Sequence, residues 1–351
     1  MSKKISVGIL GATGTVGQRF IQLLENHPWF EVAWVAASER SAGLTYREAA
    51  KWKMRTDIPE RIARMKVSPA DPQGAPKVIF AALDSDIAKE MEPAFANAGC
   101  AVISNSSAFR MHPNVPLVIP EVNADHIRLI DTQSWRKTSG GFMATNSNCS
   151  IMGITIALAP LLQQFGLESV FAVTMQAISG AGYPGVASLD ILGNVIPFIK
   201  NEEEKMQEEA HKLLGRVKGK TVLSADFGMS AHCNRVAVED GHTASVSVKF
   251  KKKNITSDKV LEAWREFRAP AIIAKLPSCP KQTIFYDDRP DRPQPRLDLD
   301  RGNGMTTSVG RLRPCNLFDW KFTVLSHNTI RGAAGAAIFN AELLKTEGYI
   351  G

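Results

Sequence analysis

Residues 5–17, Ile5-Ser6-Val7-Gly8-Ile9-Leu10-Gly11-Ala12-Thr13-Gly14-Thr15-Val16-Gly17, decide the fold. The first six residues are mostly apolar or β-branched, which is typical of a buried strand, and glycines follow at three-residue spacing. Apolar residues then recur at helical spacing until Asn26-His27-Pro28, and residues 30–37 form a second apolar run. The segment therefore predicts one βαβ unit.

The alternation of strands and helices continues along the N-terminal part. Strand candidates at residues 78–82 and 101–104 flank a helical stretch at residues 86–98. This pattern predicts a Rossmann-type α/β domain, a parallel sheet with helices on both faces. After about residue 147 an apolar helix at 151–165 and alternating strands at 169–178 and 242–250 predict an α+β domain with a mostly antiparallel sheet.

Composition narrows the class of protein. The 351 residues are enough for two domains, and 44% hydrophobic with 22% charged residues is typical of a globular chain. Five scattered cysteines fit neither a disulfide framework nor a metal site, and no apolar run is long enough for a membrane span. We therefore expect a cytoplasmic protein without metal or membrane attachment. The net charge of +7 is spread along the chain, which favours anionic small molecules over nucleic acid.

The glycine turn predicts a dinucleotide site. Glycines let the backbone approach a diphosphate, whose charge is stabilised by the N–H groups that begin the next helix. The spacing is GxxGxxG and not the usual GxGxxG, so the prediction depends on the strand before it and the helix after it. The residues expected to contact the cofactor here are Gly11, Thr13, Gly14, Thr15, Val16 and Gly17.

The turn after the second strand indicates which dinucleotide binds. Arg40, with the hydroxyls of Ser38 and Ser41, suits the 2′-phosphate of NADP. Glu39 lies in the same turn and keeps NAD possible if its carboxylate faces the ribose. A solvated polar turn with no ligand is the remaining interpretation.

Cys149 follows the small polar segment 145–148 and directly precedes the apolar helix. A thiol at a helix N-terminus is expected to have a lowered pKa and to be a nucleophile, although a lone cysteine is more often a small buried residue. The segment 232–242 offers a partner, His242, which could otherwise be a core histidine. Asp240-Gly241 predicts a two-residue hairpin that pairs residues 239 and 242 and places Arg235 and His242 on one face.

Seven stretches, in this order, resemble the aspartate-β-semialdehyde dehydrogenases of archaea and fungi. They are the turn 11–17 and residues 104–110, 146–149, 176–182, 201–205, 235–242 and 326–329. The resemblance covers nearly the whole chain. It implies an NADP-binding domain at residues 1–147 completed by a C-terminal helix at 327–351, a catalytic and dimerisation domain at 148–326, and a dimer or tetramer.

The resemblance also implies the chemistry. Cys149 would attack β-aspartyl phosphate and form a thioester that NADPH reduces to aspartate semialdehyde, in the biosynthesis of lysine, threonine and methionine. The remaining roles would fall to His242 as the acid-base group, Gln176 at the acyl intermediate, Arg235 and Glu202 at the substrate carboxylate and amine, Arg110 and Lys205 with Asn148 at the phosphate, and Ser179, Gly180, Gly182 and Asn328 at the nicotinamide.

Several interpretations remain open on the sequence. Arg110 could be a surface arginine, Glu202 and Lys205 could form an exposed helical ion pair, and Glu203 or Glu204 could replace Glu202. Gln176 and Asn328 could be structural. For the whole protein the alternatives are a malonyl-CoA or other acyl-CoA reductase, an N-acetyl-γ-glutamyl-phosphate reductase, and a protein that binds NADP without catalysis.

Overall fold

The glycine turn joins the first strand to the first helix as predicted. In the computed structural model, which describes residues 3–351, β1 (Ile5–Leu10) leads into α1 (Thr15–Leu24), and β2 (Phe30–Ala36) pairs with β1 in parallel. Gly11 has a φ of +83°, which favours glycine. A Cβ on Gly17 would lie 2.4 Å from the carbonyl oxygen of Gly11, so the helix packs this closely on the turn only with glycine there.

A five-stranded parallel sheet, in the order β2-β1-β3-β4-β5, confirms the predicted Rossmann-type domain. Its further elements are α2 (Tyr46–Ala49), α3 (Glu60–Ala63), β3 (Val78–Ala81), α4 (Ser85–Asn97), β4 (Ala101–Ser104), α5 (Pro120–Asn123), α6 (Ser134–Thr138) and β5 (Phe142–Thr145). The strand order reverses between β1 and β3, and Gly11 and Ala82 follow these two strands. The glycine turn thus lies at the switch point, where open α/β sheets bind ligands.

The second half of the chain forms a six-stranded mixed sheet in the order β11-β12-β13-β10-β6-β9, with three antiparallel and two parallel strand pairs. Its elements are α7 (Cys149–Phe165), β6 (Leu167–Gln176), α8 (Ser188–Ile191), α9 (Glu202–Leu213), β7 (Arg216–Lys218), β8 (Thr221–Leu223), β9 (Gly228–Arg235), β10 (His242–Phe250), α10 (Ser257–Glu266), β11 (Ile284–Asp287), α11 (Pro295–Asp298), β12 (Thr307–Pro314) and β13 (Trp320–Ser326). The apolar α7 is buried against this sheet and shares its core.

The predicted hairpin at Asp240-Gly241 is wrong. β9 and β10 are not neighbours, because β6 lies between them and pairs with β9 in parallel and with β10 antiparallel. Gly241 adopts a positive φ of +98° but Asp240 does not, so these residues do not form the turn of such a hairpin, and the partner strand of β10 comes from elsewhere in the chain. Arg235 and His242 still converge, since both lie near the end of β6.

The C-terminal segment returns to the first sheet. A π-helical turn at Ile330–Ala334 continues into α12 (Gly335–Thr346), in which residues 335–344 are all buried. Phe339 and Leu343 belong to the same core as Val7 and Phe80 of the parallel sheet. Within residues 3–351, no helix has the length and apolar character that crossing a bilayer requires.

Candidate active site

The glycine turn presents free backbone donors. Gly14 caps α1 without a side-chain hydrogen bond, and within residues 3–351 the N–H groups of Thr15 and Val16 have no partner. A Cβ on Gly14 would meet only the Gly11 oxygen, at 3.5 Å, and the residue is exposed. These donors at a helix N-terminus suit a diphosphate.

Two side chains that the sequence did not single out hold the turn in place. The Tyr46 hydroxyl donates to the carbonyl of Ala12 at 2.8 Å, and Gln18 Nε2 donates to the carbonyl of Thr13, also at 2.8 Å. Gln18 Oε1 accepts from the N–H of Lys53 at 2.7 Å. No local pattern distinguishes these residues, because their partners lie some 5 to 35 positions away.

The turn predicted to select the dinucleotide follows β2. The N–H of Ser41 donates to the carbonyl of Ser38 at 2.9 Å, and the side chains of Ser38, Glu39 and Arg40 are exposed. None of the side chains of residues 38–41 forms a hydrogen bond with the described part of the chain. Arg40 is therefore available to a phosphate group.

Cys149 and His242 are in direct contact. Cys149 is the first residue of α7, after the N-cap Asn148, whose side chain accepts from the N–H of Ser150 at 2.7 Å. The Cys149 sulfur lies 3.3 Å from Nε2 of His242, and Nδ1 of the same ring accepts from the N–H of Ala177 at 3.1 Å. Because Nδ1 accepts, the neutral ring carries its hydrogen on Nε2 and presents it to the sulfur.

The charge state of this pair differs from the sequence prediction. Burial, together with the negative charge of Glu202, raises the pKa of the Cys149 thiol to about 12. Burial lowers the pKa of His242 to about 3, with further lowering by the charge of Arg235. In the substrate-free protein the thiol is thus protonated and the imidazole neutral. The expected low pKa is wrong for this state, because burial outweighs the favourable helix N-terminus.

Arg235 and Glu202 flank the sulfur. Arg235 is buried and donates from Nη1 to the carbonyl of Ala177 at 2.8 Å, while Glu202 accepts from the Ser150 hydroxyl at 2.9 Å. Both charges act on the Cys149 thiol. The structure thereby brings together the predicted nucleophile and two groups suited to the carboxylate and the amine of an amino acid.

The structure separates the three adjacent glutamates. Glu203 accepts from the N–H of Cys233 at 2.9 Å, and Glu204 is exposed, so only Glu202 contacts the Cys149 helix. Lys205 is half-buried, and its side chain forms no hydrogen bond or ion pair within residues 3–351. The alternative of an exposed Glu202–Lys205 ion pair is therefore wrong.

Arg110 is not a surface arginine. It is buried, with Nη1 2.9 Å from Oε1 of Glu209 and Nη2 2.6 Å from the carbonyl of Asn105. The second oxygen of Glu209 accepts from the N–H of Asn148 at 2.6 Å. Sequence reasoning missed Glu209, although its spacing of seven from Glu202 places it on the same face of α9.

The loop after β6 packs closely on the site. A Cβ on Gly180 would lie 2.9 Å from Nη1 of Arg235 and 3.1 Å from Nε2 of His242, so only glycine leaves these groups in place. Asn328 donates to the Ser179 hydroxyl at 2.8 Å and accepts from the N–H of Gly241 at 2.8 Å. Asn328 thus ties together the two loops that flank the site.

Three further residues complete this region. The Gln176 amide is buried and donates to the Thr174 hydroxyl at 3.3 Å, while Gly182 has a φ of +70°. Asn146, three residues before Cys149, is fully buried, and its side-chain amide has no partner within residues 3–351. Asn146 lies in the family stretch 146–149, but no role was assigned to it from the sequence.

The fold and the site together are those of a dinucleotide-dependent dehydrogenase. Residues 6–130 match the family described as semialdehyde dehydrogenase, NAD binding domain, and residues 158–331 match the semialdehyde dehydrogenase dimerisation domain. The chain belongs to the aspartate-semialdehyde dehydrogenase family, as the sequence predicted.

Its similarity to known members extends over the full length. The chain is 48% identical to the aspartate-semialdehyde dehydrogenase of Archaeoglobus fulgidus, over 99% of this chain and 100% of the relative. It is also 48% identical to that of Schizosaccharomyces pombe, over 98% and 99%. A crystal structure of the Candida albicans enzyme with NADP superposes with a TM-score of 0.91 at 43% identity, covering 99% of this chain and all of the other.

Proposed function

We propose that the protein catalyses the NADP-dependent reductive dephosphorylation of β-aspartyl phosphate to aspartate β-semialdehyde, through a thioester on Cys149. The contact of 3.3 Å between the Cys149 sulfur and His242 Nε2, beside two buried arginines and a buried glutamate, is the observation that carries the proposal. The names of the full-length relatives support the same reaction.

The site residues fit the charges of the substrate. The planar guanidinium of Arg235 binds the α-carboxylate in a bidentate manner, and Glu202 binds the α-ammonium group. Arg110, helped by Lys205 and the polar Asn148, binds the phosphate. The buried Arg110 supports an acyl phosphate as substrate over a CoA thioester. In an acyl phosphate the anionic phosphate is attached directly to the reacting carbon, and Arg110 places a positive charge beside Cys149, where that phosphate would lie.

The covalent step uses the sulfur of Cys149. The sulfur attacks the acyl carbon, the bond from that carbon to the phosphate oxygen breaks, and the thiol proton leaves with hydrogen phosphate. The positive charges of Arg110 and Arg235 lower the pKa of the Cys149 thiol and so oppose the effect of burial. His242, the proposed acid–base group, donates a hydrogen bond from Nε2 to the sulfur and to the oxygen of the tetrahedral adduct, while Gln176 orients the acyl group.

The residues of the glycine turn fit NADP. The free N–H groups of Thr15 and Val16 would hold the diphosphate, and Arg40 with Ser38 and Ser41 would hold the 2′-phosphate. Gly180, Gly182 and Asn328, with Ser179, would border the nicotinamide. When bound, the reduced cofactor supplies the hydride that converts the thioester to the aldehyde.

The domain and assembly predictions complete the proposal. Residues 1–147 with the C-terminal segment 327–351 form the NADP-binding domain, and residues 148–326 form the catalytic domain. We expect at least a dimer in solution, which the dimerisation-domain match at residues 158–331 supports. Sedimentation equilibrium measures this directly, and a monomer at micromolar concentration would contradict it.

The test is phosphate-dependent reduction of NADP with aspartate semialdehyde as substrate. We expect activity that requires phosphate and is lost in Cys149→Ala, whereas Cys315→Ala, at a half-buried cysteine outside the site, retains it. Activity with malonyl-CoA and none with aspartate semialdehyde would favour the CoA reductase. Binding of NADP without turnover of either substrate would favour a non-catalytic protein.

A further inference from the structure

One buried carboxylate connects two functional groups that are distant in the sequence. Glu209 lies on α9 with 1% of its surface exposed. Its Oε1 accepts from Arg110 Nη1 at 2.9 Å, and its Oε2 accepts from the N–H of Asn148 at 2.6 Å. A buried carboxylate is costly unless its oxygens are paired, and here each oxygen has a different partner.

The first partner is the arginine assigned to phosphate. Its Nη2 donates to the carbonyl of Asn105 at 2.6 Å, and its Nε has no partner within residues 3–351. Glu209 and Asn105 thus fix the plane of the Arg110 guanidinium from two sides. The N–H groups of Arg110 that do not donate to Glu209 or Asn105 remain available to an anion.

The second partner is the residue that begins the nucleophile helix. Asn148 is the N-cap of α7 and directly precedes Cys149. Its N–H would lack an acceptor without Glu209, and an unpaired buried donor destabilises that backbone position. One carboxylate therefore sets both the plane of Arg110 and the start of the helix that carries the sulfur.

We propose that Glu209 is a positioning residue that holds Arg110 in register with Cys149 for the exchange of the acyl group between sulfur and phosphate. The proposal rests on the proposed function, in which Arg110 binds phosphate. Glu209 acts through Arg110 and Asn148. Its carboxylate aligns these two groups and takes no direct part in the reaction.

A conservative variant can separate the two contacts. In Glu209→Gln the amide oxygen can still accept from the N–H of Asn148, which leaves the amide nitrogen facing Nη1 of Arg110. Two donors then oppose each other, and the guanidinium must turn away. Glu208→Gln is the matched control, because Glu208 is the exposed neighbour on the same helix.

The experiment follows the reaction in the direction of aspartate semialdehyde oxidation. Rapid mixing of enzyme, NADP and aspartate semialdehyde without phosphate measures the burst of NADPH that accompanies thioester formation. Steady-state turnover against phosphate concentration then measures release of the acyl group. We expect Glu209→Gln to keep the burst rate within about threefold and to lose about 10- to 100-fold in kcat/KM for phosphate, the effect of one misaligned charged hydrogen bond.

Three outcomes would overturn the proposal. They are an unchanged kcat/KM for phosphate, an equal loss in the burst and in the phosphate step, and a loss of the same size in Glu208→Gln. If Glu209→Gln does not fold, Glu209→Asp keeps the charge on a shorter arm and should show a smaller loss confined to the phosphate step. Equal losses in both steps of that variant would count against the proposal.

Arg110→Ala separates this inference from the proposed function. A loss in the phosphate step of Arg110→Ala, with none in Glu209→Gln, refutes the role of Glu209 alone. Unchanged phosphate kinetics in Arg110→Ala refute the phosphate site itself, and the role of Glu209 with it.

Discussion

Gly332, in the π-helical turn before α12, packs against Cys149, and its replacement by alanine should lower catalytic activity more than stability. A Cβ at this position would lie 2.6 Å from the Cβ of Cys149 and 2.9 Å from its Cα. The shorter distance is 0.8 Å below the 3.4 Å at which ordinary contact begins. The opposing atoms belong to the start of a buried helix, so the clash cannot be relieved by rotating a flexible side chain.

The expected magnitudes follow from this overlap. Overpacking in a core costs about 1–3 kcal/mol, and replacing glycine with alanine in a helix returns about 1 kcal/mol. The net loss in unfolding free energy should therefore be about 0–2 kcal/mol. Displacing the sulfur by nearly 1 Å from His242 should lower kcat on the order of 100-fold.

The assay compares kcat for phosphate-dependent NADP reduction with the unfolding free energy from urea titration. Gly228→Ala is the matched control, because a Cβ there meets its nearest atom at 3.6 Å. A Gly332→Ala enzyme with kcat within twofold of the unsubstituted protein would refute the reasoning. So would an equal loss of activity in Gly228→Ala.

Three further predictions concern pH and cofactor choice. Because burial raises the pKa of Cys149 to about 12, alkylation of its peptide in the substrate-free protein should keep accelerating to about pH 10, and a plateau below pH 8 would contradict this. Arg40→Ala should raise KM for NADP about 10- to 100-fold and leave KM for NAD unchanged, with exposed Arg47→Ala as control; equal changes for both cofactors would exclude a 2′-phosphate role. Burial raises the pKa of Glu92 to about 7, above its ordinary value of 4.5, so the unfolded chain loses this proton first, and the unfolding free energy falls as pH rises from about 4.5 to 7 and is constant above that. Urea titrations at pH 5 to 9 should show the unfolding free energy of the unsubstituted protein falling by up to about 3 kcal/mol relative to that of Glu92→Gln. Parallel pH profiles of the two proteins would contradict this prediction.

Local sequence patterns predicted the elements that depend on short-range physics. The glycine turn, β10 at residues 242–250 and the helix that begins at Cys149 all follow from apolar periodicity and turn residues close in the chain. The hairpin prediction failed because turn chemistry does not determine the partner strand. Insertion of β6 between β9 and β10 is a long-range choice that no local pattern records.

The site residues likewise divide into those that local sequence predicts and those that depend on long-range contacts. Cys149, His242 and Arg235 could be chosen from their residue types and their family motifs. Glu209 could not, because its role depends on a contact with Arg110 that spans 99 positions. The pKa of Cys149 in the substrate-free protein was likewise mispredicted, since the sequence shows the helix start but not the loss of solvation that folding imposes on the thiol.

The most direct test of the account is to trap the acyl group on Cys149. The protein is mixed with NADP and aspartate semialdehyde without phosphate, quenched in acid, digested and analysed by mass spectrometry. We predict a burst of about one NADPH per active site and an aspartyl thioester on the peptide that contains Cys149, with release of the acyl group on addition of phosphate. Phosphate-dependent turnover at an undiminished rate in Cys149→Ser, or an acyl group on any other residue, would contradict the account.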